Sequence, residues 1–163
     1  MTMGRWSLFS VIALIGLVMD QASKLYIDRT MSLYQSIPVV DGFFNIFYIR
    51  NPGAAFSFLS RASWRLPFFI TISLIASLVI LVAFHKLRPD QKMAQVSLAM
   101  IFSGAVGNLI DRLRLGEVID FLDVYWKNHH WPAFNVADSF ICAGVALLAL
   151  DMLREERRNK SIS

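Results

Sequence analysis

The chain has 163 residues, a length typical of one domain. It is 56% hydrophobic, its mean hydropathy is +0.51, and its formal net charge is +4. This composition is too apolar for an ordinary soluble domain and is typical of a membrane protein. The basic residues lie between apolar runs, so the positive charge does not predict a nucleic-acid partner. A single cysteine, Cys142, excludes an internal disulfide, and three scattered histidines give no basis for a metal site.

Four long apolar stretches predict four membrane-spanning helices, because each approaches the roughly 20 residues that a helix needs to cross a bilayer. The first stretch follows one basic residue, Arg5, but no small-residue cleavage site comes after it, so we interpret it as a retained helix and not as a signal peptide. The predicted spans are residues 6–26, 66–84, 93–110 and 131–150. Residues 111–130 are predicted to be a polar loop. We therefore predict an all-α membrane protein in which residues 1–163 form one integral membrane domain.

The segment 27–65, between the first two spans, is amphipathic and rich in turn residues. Two runs of β-branched and aromatic residues, 35–40 and 43–49, are joined by Asp41-Gly42. An Asp-Gly pair between two such runs predicts a β-hairpin. A hairpin this hydrophobic is expected to pack on the bilayer or over the helices. We therefore expect a small extracytoplasmic sheet that lies on the membrane surface.

The distribution of basic residues predicts how the chain crosses the membrane. With four spans, both termini lie on the same side. The 16 lysines and arginines divide equally between the two sides, but they are denser in the segments on the side of the termini. Because basic loops favour the cytoplasmic side, we expect both termini in the cytoplasm and the polar residues near the opposite helix ends at the outer face.

A carboxylate, Asp138, lies inside the last apolar stretch, and Asn135 precedes it by three residues. An ionisable residue in a membrane span is costly and indicates a functional site. The candidate partner is Asp120, which lies beyond the outer end of the preceding span. Two nearby carboxyls in a low-dielectric site do not both ionise, so one can activate water while the other protonates a carbonyl oxygen. The pair predicts an aspartyl hydrolase that works at the membrane.

Other interpretations of these acids remain open at this point. Asp138 is also explained as a helix cap or as a water-facing residue at a short fourth helix. Asp123 lies one turn from Asp120 if that stretch is helical, and it then competes for the catalytic role. A proton-coupled transporter or channel subunit would use the carboxyls as a relay, and a membrane scaffold would use them as helix caps. The absence of an inverted repeat and the clustering of the acids at one side argue against a transporter.

Further polar residues surround the pair in the predicted topology. Asn108 and Arg112 are four residues apart on one helix face, where together they could hold a carbonyl or a phosphate-like group. Structural alternatives are an interhelical hydrogen bond and a snorkelling arginine. Asp20 and Lys24, also four apart, form a favourable ion pair with an anchoring role, and Asp111 is expected to pair with an arginine.

Five short motifs give the chain a resemblance to a known family, and their order makes that resemblance specific. The motifs are Asp20–Lys24, Asn51–Phe56, Gly104–Arg112, Gly116–Phe121 and Phe134–Asp138. With these motifs the chain resembles lipoprotein signal peptidase (signal peptidase II), the aspartyl protease of the bacterial inner membrane. The resemblance covers nearly the whole chain and implies four transmembrane helices with a small periplasmic β-cradle.

The resemblance also implies roles for individual residues. It makes Asp120 and Asp138 the catalytic pair and decides against Asp123. The implied substrate-binding residues are Asn108, Arg112, Asn135 and Asn51. The implied supporting residues are Asp20, Lys24, Asp111 and Gly53.

The expected substrates are prolipoproteins whose cysteine carries diacylglycerol, cleaved just before that cysteine. Membrane lipids and cyclic peptide antibiotics of the globomycin type are the other expected partners, and no metal, cofactor or nucleic acid is expected. The implied location is the bacterial inner membrane, with the active site near the periplasmic face.

Overall fold

The computed structural model describes residues 4–53 and 63–160. In that part of the chain, four helices are long and apolar enough to cross a membrane. They are α1 (Arg5–Thr30), α2 (Arg65–Lys86), α3 (Lys92–Leu115) and α4 (Val136–Lys160). The apolar residues 54–56, which end the second motif, lie outside the described residues. The predicted membrane fold with a small antiparallel sheet is confirmed.

Helix α3 lies at the centre of the bundle and packs against each of the other three helices. Its contact with α4 is close because Gly104 has no side chain. A Cβ atom at this position would collide with the backbone oxygen of Ala137 and lie 2.6 Å from Cγ1 of Ile141. Small residues let membrane helices approach in this way. The outer surfaces of α1 and α2 carry exposed large apolar side chains, as expected for helices that face lipid.

The fourth helix begins at Val136, and not near Trp131 as the apolar pattern suggested. The residues before it are engaged with a strand, because the N–H of Phe134 donates to the backbone oxygen of Leu122 at 3.0 Å. A segment that pairs with a strand cannot also form intrahelical hydrogen bonds. Asp138 therefore lies in the first turn of α4, and not about two turns into the helix, where a start at residue 131 would place it.

The sheet contains four antiparallel strands in the order β1-β2-β3-β4. They are β1 (Ser36–Val40), β2 (Phe44–Asn51), β3 (Val118–Trp126) and β4 (His129–His130). The predicted hairpin at Asp41-Gly42 is confirmed, with Gly42 in the left-handed region at φ 77°.

The predicted polar loop at residues 111–130 is wrong. Helix α3 continues to Leu115 and ends at Gly116, whose φ of 74° closes the helix with a hydrogen bond to Arg112 O. Strand β3 then pairs with β2. Asp120 and Asp123 interrupt the apolar pattern of β3, so the strand is not recognisable from the sequence. The cost of burying these two carboxylates in the sheet is offset by their hydrogen bonds.

One face of the sheet packs on the C-terminal end of α1. Ile27 and Met31 of the helix meet Tyr48 of β2 and Ile119 and Phe121 of β3 in a buried apolar cluster. This contact fixes the sheet over the end of the bundle at which α3 ends and α4 begins. The opposite face of the sheet is left open beside the buried acids.

A β-bulge in β3 brings Asp120 and Asp123 to the same side of the strand. The consecutive N–H groups of Phe121 and Leu122 both donate to Phe134 O, at 3.0 and 2.8 Å. In a regular strand, residues three apart point to opposite faces. The extra residue of a bulge removes that alternation locally, so both carboxylates line one cavity.

Candidate active site

Asp120 and Asp138 come from different elements and meet around one carboxamide, that of Asn135. The Asn135 Nδ2 group donates to Asp120 Oδ1 at 2.7 Å, and the Asn135 Oδ1 atom accepts from the Asp138 N–H at 3.0 Å. Asn135 is fully buried and Asp120 is 2% exposed. Both carboxyls line the same cavity. The structure therefore brings the two predicted acids together.

The position of Asp138 is set by a reciprocal cap at the start of α4. Its Oδ2 atom accepts from the Asn135 N–H at 3.2 Å, while its own N–H donates to the Asn135 side chain. This is the geometry of a capping box, here made by Asn and Asp. The other oxygen, Oδ1, accepts from Asn108 Nδ2 at 2.8 Å. The helix-cap interpretation of Asp138 and its place in a carboxyl pair are thus compatible.

Asp120 is held in a polar cradle that water scarcely reaches. Asn51 Nδ2 donates to its Oδ2 atom at 3.0 Å, on the side opposite the Asn135 bond. The pKa of Asp120 is raised to about 7, mainly by burial and also by the nearby charge of Asp138. The hydrogen bonds from Asn51 and Asn135 oppose the rise. A carboxyl with this pKa exchanges its proton near neutral pH, as acid–base catalysis requires.

Asn108 connects the acids to the ion pairs beneath them. Its Nδ2 group donates to Asp138, while its Oδ1 atom accepts from Lys24 Nζ at 2.9 Å and from Asn135 Nδ2 at 3.1 Å. An ammonium group can only donate, so Lys24 determines which end of the Asn108 carboxamide faces Asp138.

The predicted ion pair of Asp20 and Lys24 is present, with 3.0 Å between Nζ and Oδ2. Asp111 lies 2.9 Å from the same ammonium, so its partner is Lys24 and not an arginine as expected. Asp20 also accepts from the N–H of Ala137 at 2.9 Å, and Asp111 accepts from the N–H of Ile119 at 3.2 Å. Asp20 and Asp111, bridged by Lys24, therefore fix the backbone of Ala137 and Ile119. These two residues directly precede Asp138 and Asp120.

Gln21 also belongs to this network, and sequence reasoning missed it. Its Nε2 group reaches Asp20, Gly107 O and Asp111 at 3.0 to 3.2 Å. Its position next to Asp20 in the first motif was the available signal, because helix neighbours of a buried acid can share its partners.

Arg112 lies at the edge of the cavity with the acids. Its guanidinium donates to Asn108 O and to Gly53 O, both at 3.4 Å, and lies 5.0 Å from the ring centre of Phe69. These long bonds and the contact with the aromatic ring orient the guanidinium. Gly53 is in turn positioned by a bond from its N–H to Asn51 Oδ1 at 3.0 Å.

The cavity beside the acids has a volume of about 520 Å³. Its polar wall includes Asp120, Asp138 and Arg112, and its other wall includes Phe134 and Cys142. Cys142 is exposed and lines this cavity. The combination of two acids, amide donors and apolar surface suits hydrolysis of a peptide bond next to an apolar segment.

Asp123 has a different environment from the pair. The premise that it lies one helical turn from Asp120 is wrong, because residues 118–126 form a strand. Its carboxylate bonds to Asn45 Nδ2 at 3.0 Å and to His130 Nδ1 at 2.8 Å.

Comparisons with known proteins agree with this architecture. The family model described as signal peptidase (SPase) II matches residues 12–154. The lipoprotein signal peptidase of Geobacter metallireducens is 67% identical over 94% of this chain and 95% of its own length, and that of Geobacter sulfurreducens is 69% identical over 94% and 96%.

The fold is also similar to a solved bacterial membrane enzyme, determined by the in meso method at 2.3 Å resolution. That structure has a TM-score of 0.82 and 34% identity, and the match covers 91% of this chain and 88% of the other. The matched family model and these relatives together show that the chain belongs to the signal peptidase II family of membrane peptidases.

Proposed function

We propose that this protein is an aspartyl endopeptidase that removes signal peptides from diacylglyceryl-modified prolipoproteins and cleaves just before the lipidated cysteine. The observation that carries the proposal is the meeting of Asp120 and Asp138 around Asn135, at the wall of a cavity with an apolar side. The family of the chain and the names of its relatives support the substrate class.

The proposed mechanism divides the work between the two acids. The Asp138 carboxylate takes a proton from water as the water oxygen attacks the peptide carbonyl carbon, and protonated Asp120 donates to the carbonyl oxygen. The raised pKa of Asp120 supports its assignment as the acid. In the second step the C–N bond breaks, the amine leaves with the proton held by Asp138, and the new carboxyl group returns a proton to Asp120.

The neighbouring polar groups are proposed to position the substrate and the acids. Arg112 and Asn51 line the cavity and would bind backbone carbonyl groups of the substrate. Asn108 and Asn135 orient the two carboxyls through the bonds described above. Cyclic peptide antibiotics of the globomycin type, which present several backbone carbonyls, are proposed to occupy the same cavity.

The site is proposed to face the periplasm. It lies where α3 ends and α4 begins, and the denser basic segments lie at the other ends of these helices. This distribution supports the proposal, by the positive-inside rule, that both termini lie in the cytoplasm of a bacterial cell and that the chain is one integral domain of the inner membrane. The large exposed apolar surfaces of α1 and α2 would contact membrane lipids.

The test is cleavage of a synthetic prolipoprotein by the purified protein, with and without the diacylglyceryl group. Asp120→Asn and Asp138→Asn should remain folded and fail to cleave the lipidated substrate. The matched control is Asp41→Asn, an exposed acid in the hairpin turn, which should retain activity. Cleavage by either active-site variant contradicts the two-aspartate mechanism, and equal cleavage of the unlipidated peptide contradicts the substrate class.

A further inference from the structure

A second cavity, of about 580 Å³, adjoins the cavity that contains the catalytic pair. The residues that line both cavities are Asn51, Asp120, Trp131, Pro132 and Ala133. Asp120 therefore lies at the junction of two spaces. A chain whose scissile bond is at Asp120 would leave the first cavity and enter the second.

The two cavities differ in their surroundings. The first extends along α4, a membrane-spanning helix, past Phe134 and Cys142. The second lies on the open face of the sheet, where alternate residues of β2, among them Asn45, Phe47 and Ile49, point towards it. The apolar signal segment of a prolipoprotein belongs in the bilayer and the segment after the cut belongs in water. The second cavity is thus on the side of the released protein.

A hydrogen-bonded cluster occupies the far end of the second cavity. Asp123, which is 5% exposed, accepts from Asn45 Nδ2 at 3.0 Å and lies 2.8 Å from His130 Nδ1. The His130 ring stacks on Tyr125, with 4.9 Å between ring centres and 10° between planes. Tyr125 is itself held, because its hydroxyl accepts from the N–H of Gly42 at 2.9 Å.

This arrangement fixes one half-exposed imidazole in a defined orientation. A carboxylate accepts hydrogen bonds, so Nδ1 of His130 is assigned as the donor to Asp123, and the Nε2 edge is left for a ligand. A buried carboxylate behind an imidazole commonly sets the tautomer and direction of the ring. His130 lines the cavity, and nothing in the proposed cleavage chemistry uses it.

We propose that His130 is a specificity-determining residue for the part of the substrate that follows the scissile bond, with Asp123 as its positioning residue. The inference rests on the proposed function. An extended peptide advances about 3.3 Å per residue. The distance along β3 from Asp120 to Asp123 thus corresponds to the second or third substrate residue beyond the bond. His130 would favour a side chain there that forms a hydrogen bond.

The experiment compares two lipidated prolipoproteins that differ only at the second and third residues after the scissile bond. One carries asparagine at both positions and the other carries leucine, which is similar in shape but forms no hydrogen bond. The full-length enzyme in lipid nanodiscs should prefer the asparagine substrate in kcat/KM. His130→Phe keeps the stacking on Tyr125 but removes both ring nitrogens, and the preference should fall roughly threefold to tenfold, mainly through KM.

The matched control is His129→Phe. His129 is the exposed histidine next in sequence and does not line either cavity, so the preference should be unchanged. Asp123→Asn should weaken the preference in the same direction as His130→Phe, because the ring loses its ionic partner.

Two results would overturn the inference. One is an unchanged preference in both the His130→Phe and Asp123→Asn variants. The other is an equal loss of kcat/KM on the two substrates, which would indicate a structural role for the cluster. Failure of the underlying function has a different signature, since the wild-type enzyme would then cleave neither substrate.

Discussion

Replacement of Lys24 with methionine removes the ammonium that lies between two buried carboxylates. Methionine keeps an unbranched side chain that fits irregular interior space. The Nζ atom of Lys24 lies 3.0 Å from Asp20 and 2.9 Å from Asp111, and the side chains are 1–2% exposed. The variant therefore leaves both acids without their shared counterion in a site that water does not reach.

The expected cost is large for a single substitution. Removal of one partner from a buried ion pair destabilises a protein by about 3–5 kcal/mol, because the remaining charge is uncompensated. For a chain of this size each kcal/mol lowers Tm by about 2–4 °C. The Tm of Lys24→Met should therefore lie roughly 6–20 °C below that of the wild type.

The same substitution should impair catalysis at temperatures well below the new Tm. Lys24 donates to Asn108 Oδ1 at 2.9 Å, and without this bond the Asn108 carboxamide can turn its oxygen towards Asp138. Such a change disturbs Asp138, the general base of the proposed mechanism, and not substrate binding, so kcat should fall more than KM rises.

The assay is thermal unfolding in detergent, followed by tryptophan fluorescence, together with cleavage of a lipidated peptide. Lys86→Met, an exposed lysine at the end of α2, serves as the control and should shift Tm very little. Adding Asp111→Asn to Lys24→Met should restore part of the stability, since one uncompensated buried charge is removed. A Tm shift smaller than about 2 °C, or a further loss on adding Asp111→Asn, would refute the reasoning.

Three other predictions follow from the site and the packing around it. The pKa of Asp120 is raised to about 7 and the proposed mechanism needs its protonated form, so kcat/KM should decline as pH rises through that value. Asn51→Ala removes a bond that lowers this pKa, so the decline should move to higher pH in a pH–rate profile. A decline at unchanged pH in that variant would count against the assignment. Gly104→Ala forces a Cβ against Ala137 O and should destabilise the protein by about 1–3 kcal/mol in thermal unfolding. Gly116→Ala places a side chain at φ 74° and should lower the free energy of unfolding by about 1 kcal/mol. An unchanged stability in either glycine variant would contradict the prediction for that position and would show that the backbone can adjust there.

The linkage of Asp120 to stability has the opposite sign from that of an ordinary salt-bridged acid. Its folded-state pKa is raised, so the folded protein binds a proton that the unfolded chain has released between about pH 4 and pH 7. Stability should consequently decrease as pH rises through this window. Asp120→Asn, which cannot ionise, should lose that component of the pH dependence.

Several features of this protein could be predicted because they depend on local sequence. Membrane-spanning helices require long apolar runs, and the chain contains four of them. The hairpin at Asp41-Gly42 was predictable because few residue pairs form a tight turn with φ > 0. Asp138 stood out because a charge within an apolar stretch is costly unless it has a function. Asp120 was its candidate partner, and the family resemblance favoured Asp120 over Asp123.

Strand β3 was not predictable in the same way. Its two aspartates made residues 118–126 look like a polar loop, yet each acid has partners on other elements. Asp120 bonds to Asn51 and Asn135, and Asp123 bonds to Asn45 and His130. The bulge at Phe121 and Leu122 that brings both acids to one face arises from pairing with Phe134, which no local pattern reveals.

By itself, the sequence determined the membrane class, the four apolar spans and the hairpin, and it singled out Asp138, because each of these depends on hydropathy, turn chemistry or the cost of burying a charge. Only the tertiary structure decided where α4 begins, which residue neutralises Asp111, and how Asn135 caps a helix while it binds Asp120. These features are hydrogen bonds and ion pairs between residues far apart in the chain. Their formation depends on which groups burial brings together, and burial is a property of the packed structure as a whole.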